Sequence, residues 1–289
     1  MKYAYYPGCS LHSTAREYDL STKEVAKALG IELLEIPDWT CCGATPAHIT
    51  MHLLSLALPV KNLIKARAMG SYEVVTSCAA CFNRLKIANH FMQDDVLHRQ
   101  KVEEIVGEPY RGDVKVRHFL DVLVNTFGLK NLKGCLMKEL SGLKVACYYG
   151  CLLTRPHKIT EFDDLEDPHL LDDLMRTLGI ESVKWPYKTE CCGAGFSLSR
   201  TDIVLKLSAD ILQMAASEGA RAIVVACPLC QSNLDLRQPM INKKYNKNFN
   251  MPIFYFTQLV GLALGIDKNK LGLNKHIINP LPLLKEVLL

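Results

Sequence analysis

Short apolar, β-branched or aromatic runs alternate along the chain with longer segments whose apolar residues return roughly every three to four positions. "YAYY", "IELLEI", "YEVV", "ACYY" and "AIVV" have the length and composition of strands. "TAREYDLSTKEVAKALG", "DDLEDPHLLDDLMRTLG" and "TDIVLKLSADILQMAASEG" have helical periodicity. Each of them runs into a glycine, the residue that most readily adopts the backbone turn closing a helix. Strands of about five residues separated by helices form the pattern of parallel βαβ units. The expected fold class is α/β, with mainly parallel, Rossmann-like sheets.

The whole pattern occurs twice, at an offset of about 145 residues. "YAYYPGCS" around Cys9 returns as "ACYYGCLL" around Cys151, and "GIELLEIPDWTCCGA" returns as "GIESVKWPYKTECCGA". "GSYEVVTSCAACFNRL" returns as "GARAIVVACPLCQSNL", and "VRHFLDVLV" near Phe119 is echoed by "IFYFTQLVG" near Phe256. Two pseudo-symmetric units follow, taken as residues 1–141 and 142–289. In parallel sheets, ligands gather at the carboxyl ends of the strands. Every repeated cysteine motif sits at such an end. Three strand ends thus bring Cys9, Cys41, Cys42, Cys78 and Cys81 together, and three more do the same for Cys151, Cys191, Cys192, Cys227 and Cys230.

Composition narrows the setting. The 289 residues, 49% hydrophobic and 22% charged, suffice for a substantial core. A net charge of +4, without an arginine-rich block or interleaved aromatics, makes no case for nucleic acid and suits a small anionic substrate. The apolar stretch "MHLLSLALPV" is too short to span a bilayer. "MKYAYYPGCS" enters a strand at once, with no basic and apolar leader, so the expected location is the cytoplasm. There thiols stay reduced, and clustered cysteines signal metal or redox catalysis. No glycine-rich strand-to-helix fingerprint for a nicotinamide or flavin is present.

Each set is spaced as one cysteine, 31 or 39 residues, a vicinal pair, 35 or 34 residues, then Cys-x-x-Cys. Thiolates ligate soft metals and iron–sulfur clusters. A disulfide between vicinal cysteines strains the backbone and does not suit the compartment. Thioredoxin-like dithiol chemistry fits "TSCAACF" alone and ignores the other three cysteines of its set. A structural zinc takes four thiolates and leaves the fifth without a role. Iron–sulfur ligation engages the whole set, and a fifth cysteine beyond the four of a cubane points to an unusual core in which adjacent cysteines hold neighbouring irons. One [4Fe–4S] cluster with one zinc stays open as the alternative.

Cys-x(31–39)-Cys-Cys-Gly followed by Cys-x-x-Cys, present twice, resembles the tandem CCG domains in the B subunit of heterodisulfide reductase from methanogenic archaea. The likeness covers nearly the whole chain. Its departures, one residue fewer before the second Cys-x-x-Cys and "PGC" against "YGC", remove no ligand. The resemblance implies a noncubane [4Fe–4S] cluster on Cys9, Cys41, Cys42, Cys78 and Cys81. It implies another on Cys151, Cys191, Cys192, Cys227 and Cys230, the two facing a shared substrate site. The implied reaction reduces the mixed disulfide of coenzyme M and coenzyme B to two thiols. The implied partners are the iron–sulfur C subunit and the flavin-containing, iron–sulfur A subunit of heterodisulfide reductase, fed by a hydrogenase or formate dehydrogenase. Opening a disulfide takes two electrons, whereas a cluster normally passes one, which gives the duplication a physical reason. Homolytic cleavage between the two clusters is the expected mechanism. The same CCG pair resembles parts of thiol:fumarate reductases, anaerobic glycerol-3-phosphate dehydrogenase and lactate-utilisation proteins. An electron-relay subunit with one cluster and one zinc is therefore the alternative function.

Other candidates lie beside the ligand motifs. His12 and His48 are placed to donate protons or orient substrate. Lys188 and Arg155 are placed to neutralise a sulfonate, phosphate or carboxylate. "QPMINKKYNKNFNMP", with Lys243, Lys244 and Lys247, reads as a solvated connection. Cys135 and Cys147 fall outside the repeat and read as packing residues. The apolar tail "INPLPLLKEVLL" docks either a partner or its own domain.

Overall fold

Strand β1 (Lys2–Tyr5) begins with an exposed lysine and continues with three buried residues, so it enters the interior at once. The computed structural model of the chain describes residues 1–44 and 51–288. In it β1 pairs in parallel with β2 (Glu32–Glu35), Lys2 opposite Glu32, and on its other side with β3 (Glu73–Thr76), Ala4 opposite Val74. β4 (Lys115–His118) pairs with β3 and completes a sheet of order β2-β1-β3-β4. The second half repeats this with β5 (Lys144–Tyr148), β6 (Glu181–Ser182), β7 (Ala222–Val225) and β8 (Ile253–Tyr255), ordered β6-β5-β7-β8 and again parallel. The α/β class with two parallel sheets is thus what the chain forms. The central strands β3 and β7 are β-branched and almost wholly buried because helices cover both faces.

This topology decides where the cysteines go. The chain leaves β1 to build β2 on one side and returns to build β3 on the other, so the order reverses between β1 and β3, and likewise between β5 and β7. At such a reversal the loops after two adjacent strands diverge and leave a crevice at their carboxyl ends. Cys9 follows β1 and Cys78 follows β3; Cys151 follows β5 and Cys227 follows β7.

Two of the three expected helices form nearly as read, Arg16–Ala28 and Thr201–Ser217, the second closed by Gly219 at φ +76°. The third is shorter, Leu170–Thr177. The Asp163 carboxylate accepts the amides of His169 and Leu170 at 2.7 Å, and Asp164 accepts those of Glu166 and Asp167 at 2.9 and 2.8 Å. These bonds hold the backbone in turns that compete with a helix. The stretch expected as a basic connection is instead largely a helix, Gln238–Tyr245, with a proline in its first turn where no amide is missed.

One hydrophobic cluster runs through both halves. Ser21 Oγ on helix Arg16–Ala28 lies 2.7 Å from Thr257 Oγ1 on helix Phe256–Ala263. Asn83 Nδ2 donates to the carbonyls of Leu152 and Arg155 at 3.1 and 2.7 Å. The apolar tail packs on its own half: the amides of Ile277 and Ile278 donate to Asp235, and Leu283 and Leu284 are buried. Among the described residues no helix is long and apolar enough to cross a membrane.

Candidate metal centre

Each Cys-x-x-Cys straddles the start of a helix. Cys78 and Cys227 are the extended residues that precede helices Ala79–Asp94 and Pro228–Asp235, and Cys81 and Cys230 lie in the first turns. All four are buried. Unpaired amides and the helix dipole favour a thiolate at that position. The vicinal pairs arrive on the loops after β2 and β6, with Cys42 and Cys192 buried and Cys41 and Cys191 more open. Cys9 is exposed and Cys151 half-buried.

The same backbone devices recur in both sets. The glycine of each CCG adopts a left-handed φ, +76° at Gly43 and +79° at Gly193. Its amide donates to the sulfur of the first cysteine of the pair, at 3.4 Å to Cys41 and 3.3 Å to Cys191. The glycine before the leading cysteine is needed for closeness. A Cβ on Gly8 would stand 2.7 Å from Cys81 Sγ, and one on Gly150 3.1 Å from Cys230 Sγ. Two phenols brace the pairs from behind: Tyr6 donates to the Thr40 carbonyl and Tyr148 to the Glu190 carbonyl, each at 2.6 Å.

Within the first set the thiols form a string from Cys9 through Cys41, Cys42 and Cys81 to Cys78. A hydrogen bond with Cys41 raises Cys9 and pushes Cys42 up to about 12. In the second set Cys191 is drawn down to about 6 by its bond with Cys151, and Cys192 Sγ lies 3.6 Å from Cys230 Sγ. Cys227 is held well below the usual thiol range by bonds with Cys230 and with Cys78. That last contact joins the two sets: the buried ends of both strings meet, Cys78 against Cys227.

This donor set fits an iron–sulfur group. The sulfurs are soft donors, backbone amides already point at two of them, and glycines leave room beside two more. Among the described residues, no three His, Cys, Asp or Glu side chains converge on a point for a single ion. Sulfurs strung out in this way match a core whose several irons each take their own ligand.

The junction is clamped by a residue that the sequence pattern did not single out. His118, at the end of β4, is wholly buried, and its Nε2–H donates to the carbonyls of Ser77 at 2.9 Å and Ala226 at 3.1 Å, the residues just before Cys78 and Cys227. Its Nδ1 accepts the Leu120 amide. With one ring nitrogen donating and the other accepting, the imidazole is neutral. Burial depresses its pKa to about 4. The signal for His118 was the repeat itself, which sets "VRHF" against "IFYF" and so His118 against Tyr255.

The remaining expected residues fall in several places. His12 is exposed, its Nε2 2.9 Å from Glu35 and its ring edge-on to Trp39. His48 lies outside the described residues. Arg155 donates to the Thr189 carbonyl at 3.0 Å and pairs with Glu166 at 3.1 Å. The Lys188 ammonium is buried and already has three partners: Asp167 at 2.7 Å, Asp172 at 3.3 Å and the Pro168 carbonyl at 2.9 Å. The Lys188 donors are thus engaged by two carboxylates and a carbonyl of its own half, one of them the exposed Asp167. Cys147 is buried with Ser182 Oγ at 3.4 Å, and Cys135 is exposed at the end of a helix rather than packed.

The model of a cysteine-rich domain family, CCG, matches residues 3–86 and 145–235. The 8-methylmenaquinol:fumarate reductase membrane anchor subunit of Wolinella succinogenes is 33% identical over 96% of this chain and 97% of its own length. The B subunit of the ferredoxin:CoB-CoM heterodisulfide reductase of Methanosarcina mazei is 29% identical over 99% of this chain and 97% of its own. A hypothetical protein from Helicobacter pylori, solved by crystallography, shares the fold at 14% identity with a TM-score of 0.78. That likeness covers 96% of this chain, which spans only 52% of the solved one. With a match in each of its halves, residues 3–86 and 145–235, the chain belongs to the cysteine-rich CCG domain family.

Proposed function

We propose that the chain is an iron–sulfur oxidoreductase subunit that reduces a disulfide, with the mixed disulfide of coenzyme M and coenzyme B as substrate. Its two noncubane [4Fe–4S] clusters would be held by Cys9, Cys41, Cys42, Cys78 and Cys81 and by Cys151, Cys191, Cys192, Cys227 and Cys230. The observation that carries this reading is the contact of Cys78 with Cys227, which makes two complete thiol sets neighbours across the repeat boundary. Each cluster, when bound, would supply one of the two electrons that opening a disulfide takes. The protein supplies the rest. Burial of Cys78, Cys81, Cys227 and Cys230 keeps water from the junction, while the exposed Cys9 and Cys191 bring both sets to the surface. The amides of Gly43 and Gly193 temper negative charge on ligand sulfur. His12 and His48 are the candidate proton donors, and Arg155 the candidate for an anionic substrate group. Lys188 we assign to a network inside its own half. Electrons would come from the iron–sulfur C subunit and the flavin-bearing A subunit of such a complex, in the cytoplasm.

A second reading is favoured by the relative named as a membrane anchor subunit of a fumarate reductase. In it the chain relays electrons between a quinol and a partner and holds one cluster and one zinc. Metal analysis of anoxically prepared protein separates the two. About eight irons per chain without zinc supports the disulfide reductase, and about four irons with one zinc supports the relay. Cys81→Ala is expected to abolish disulfide reduction and alter the spectrum of one centre. Wild-type turnover in that variant would sink the proposal.

A further inference from the structure

Tyr18 is wholly buried in helix Arg16–Ala28, and its hydroxyl has no hydrogen-bond partner among the described residues. Burying a hydroxyl without a partner is costly. Other buried phenols of this chain avoid that cost: Tyr5 bonds Asp19, Tyr6 the Thr40 carbonyl, Tyr110 Asn89, Tyr148 the Glu190 carbonyl and Tyr149 Asp172. The orphaned hydroxyl is also well fixed. Its ring stacks on Tyr255 with centroids 4.0 Å apart and planes 10° apart, and meets Phe256 edge-on at 6.1 Å.

Its place is the cysteine junction. One turn along the same helix, Thr22 Oγ1 lies 3.1 Å from Ser77 Oγ, the residue before Cys78. The stacked Tyr255 reaches Gln231 Oε1 at 3.4 Å, the residue after Cys230. The phenol is thus held between the two Cys-x-x-Cys loops. The sulfurs of Cys227, Cys78 and Cys230 are the groups that stand around the hydroxyl.

We propose that the Tyr18 hydroxyl donates a hydrogen bond to a sulfur of one metal centre where Cys78 and Cys227 meet, and so raises the reduction potential of that centre. The inference rests on the iron–sulfur reading above. Reduction adds negative charge to the sulfurs, and a fixed donor stabilises that charge, so the reduced form is favoured. The donor is one-sided. In the repeat, the counterpart of Tyr255 is His118, whose Nε2–H is directed at the Ser77 and Ala226 carbonyls and whose neighbour is the Phe162 ring at 5.9 Å. The two centres are therefore made unequal, which sets an order in which they fill with electrons.

Tyr18→Phe tests this in the full chain, with iron content, an anoxic redox titration followed by electron paramagnetic resonance, and denaturant unfolding of the metal-free protein. The expected result is unchanged iron per chain, a midpoint shifted to more negative potential, and a metal-free protein no less stable than wild type. An unchanged midpoint at full iron content overturns the inference. So does a less stable metal-free variant with an unchanged midpoint, which assigns the hydroxyl to a buried water instead. A wild-type protein without iron overturns the iron–sulfur reading itself, and this inference with it. If the variant does not accumulate, fluorotyrosine incorporated in the wild-type chain serves as a second arm. Its more acidic phenol donates more strongly, so the midpoint should move to more positive potential, and no movement overturns the proposal.

Discussion

Behind the first cysteine set, the Glu35 carboxylate gathers His12 at 2.9 Å, Trp39 Nε1 at 3.1 Å and Lys23 at 3.2 Å, on a rim where Glu35 and Lys23 are each more than a third exposed. Behind the second set, Asp172 gathers the Tyr149 and Ser182 hydroxyls, each at 2.6 Å, and Lys188 at 3.3 Å, almost sealed from water. The ligand geometry in front of these two carboxylates is nearly the same, down to the paired glycines and phenols. The repeat therefore keeps the cysteine framework and varies what lies behind it. A wet carboxylate leaves the groups around it free to exchange protons and partners. A dry one locks the loop before the vicinal pair through the two amides, of Tyr149 and Gly150, that the Lys188 carbonyl accepts.

The contrast can be broken at its strongest point. Lys188→Ala strands the Asp172 carboxylate in the interior and should cost about 3 kcal/mol of stability. The matching change on the rim, His12→Ala, should cost under about 1 kcal/mol because water already screens its contact with Glu35. Denaturant unfolding of the two metal-free variants reads the difference; equal losses would erase the distinction between rim and interior. A raised Michaelis constant for Lys188→Ala at unchanged stability would return that lysine to the substrate.

The junction adds a pH test. The His118 pKa is about 4 in the folded chain, depressed by burial, against an unfolded value near 6.5. Between those values the unfolded chain binds a proton that the folded one refuses. The stability His118 contributes is therefore fully present above about pH 6.5 and is lost as pH falls towards 4, roughly 3 kcal/mol in all. His276, also depressed to about 4 by burial, acts in the same sense, while Glu17 and Asp235, raised by burial, act in the opposite one. The comparison of wild type with His118→Gln isolates the one group. The variant should show a shallower loss of stability on acidification, and parallel pH profiles would remove the histidine from the clamp.

The smallest effect concerns what the halves share. Tyr6→Phe and Tyr148→Phe each remove one buried hydrogen bond behind a vicinal cysteine pair, about 1 kcal/mol. Matched losses would sharpen the picture of equivalent scaffolds, whereas a difference of several-fold would break it.

Strand-end cysteines were legible because the features that announce them are local: a β-branched run, a turn, then cysteine, written twice. The helix expected from Asp163 to Gly179 was over-read for a local reason too. Its apolar spacing masked the ability of Asp163 and Asp164 to bond the backbone amides that follow. His118 was visible only as one letter of a repeat, because a histidine that bonds two distant carbonyls carries no mark of it in its neighbours. Tyr18 looked like any aromatic on the buried face of an amphipathic helix. Lys188 was legible as a cation just before the second vicinal pair, but its partners were not, because position along the chain says nothing about which way a side chain turns.

From the amino acids alone came the duplication, the parallel βαβ order and the ten sulfurs at strand ends, since periodicity and spacing act over a few residues and survive being read in one dimension. Only the packing of one sheet's helices on the other's decided that Cys78 meets Cys227, that His118 ties their loops together and that a phenol with no partner among the described residues lies near them. Those contacts span about a hundred residues or more of chain in places, 108 between His118 and Ala226. They exist because buried surfaces must fit each other, a condition that no local pattern encodes.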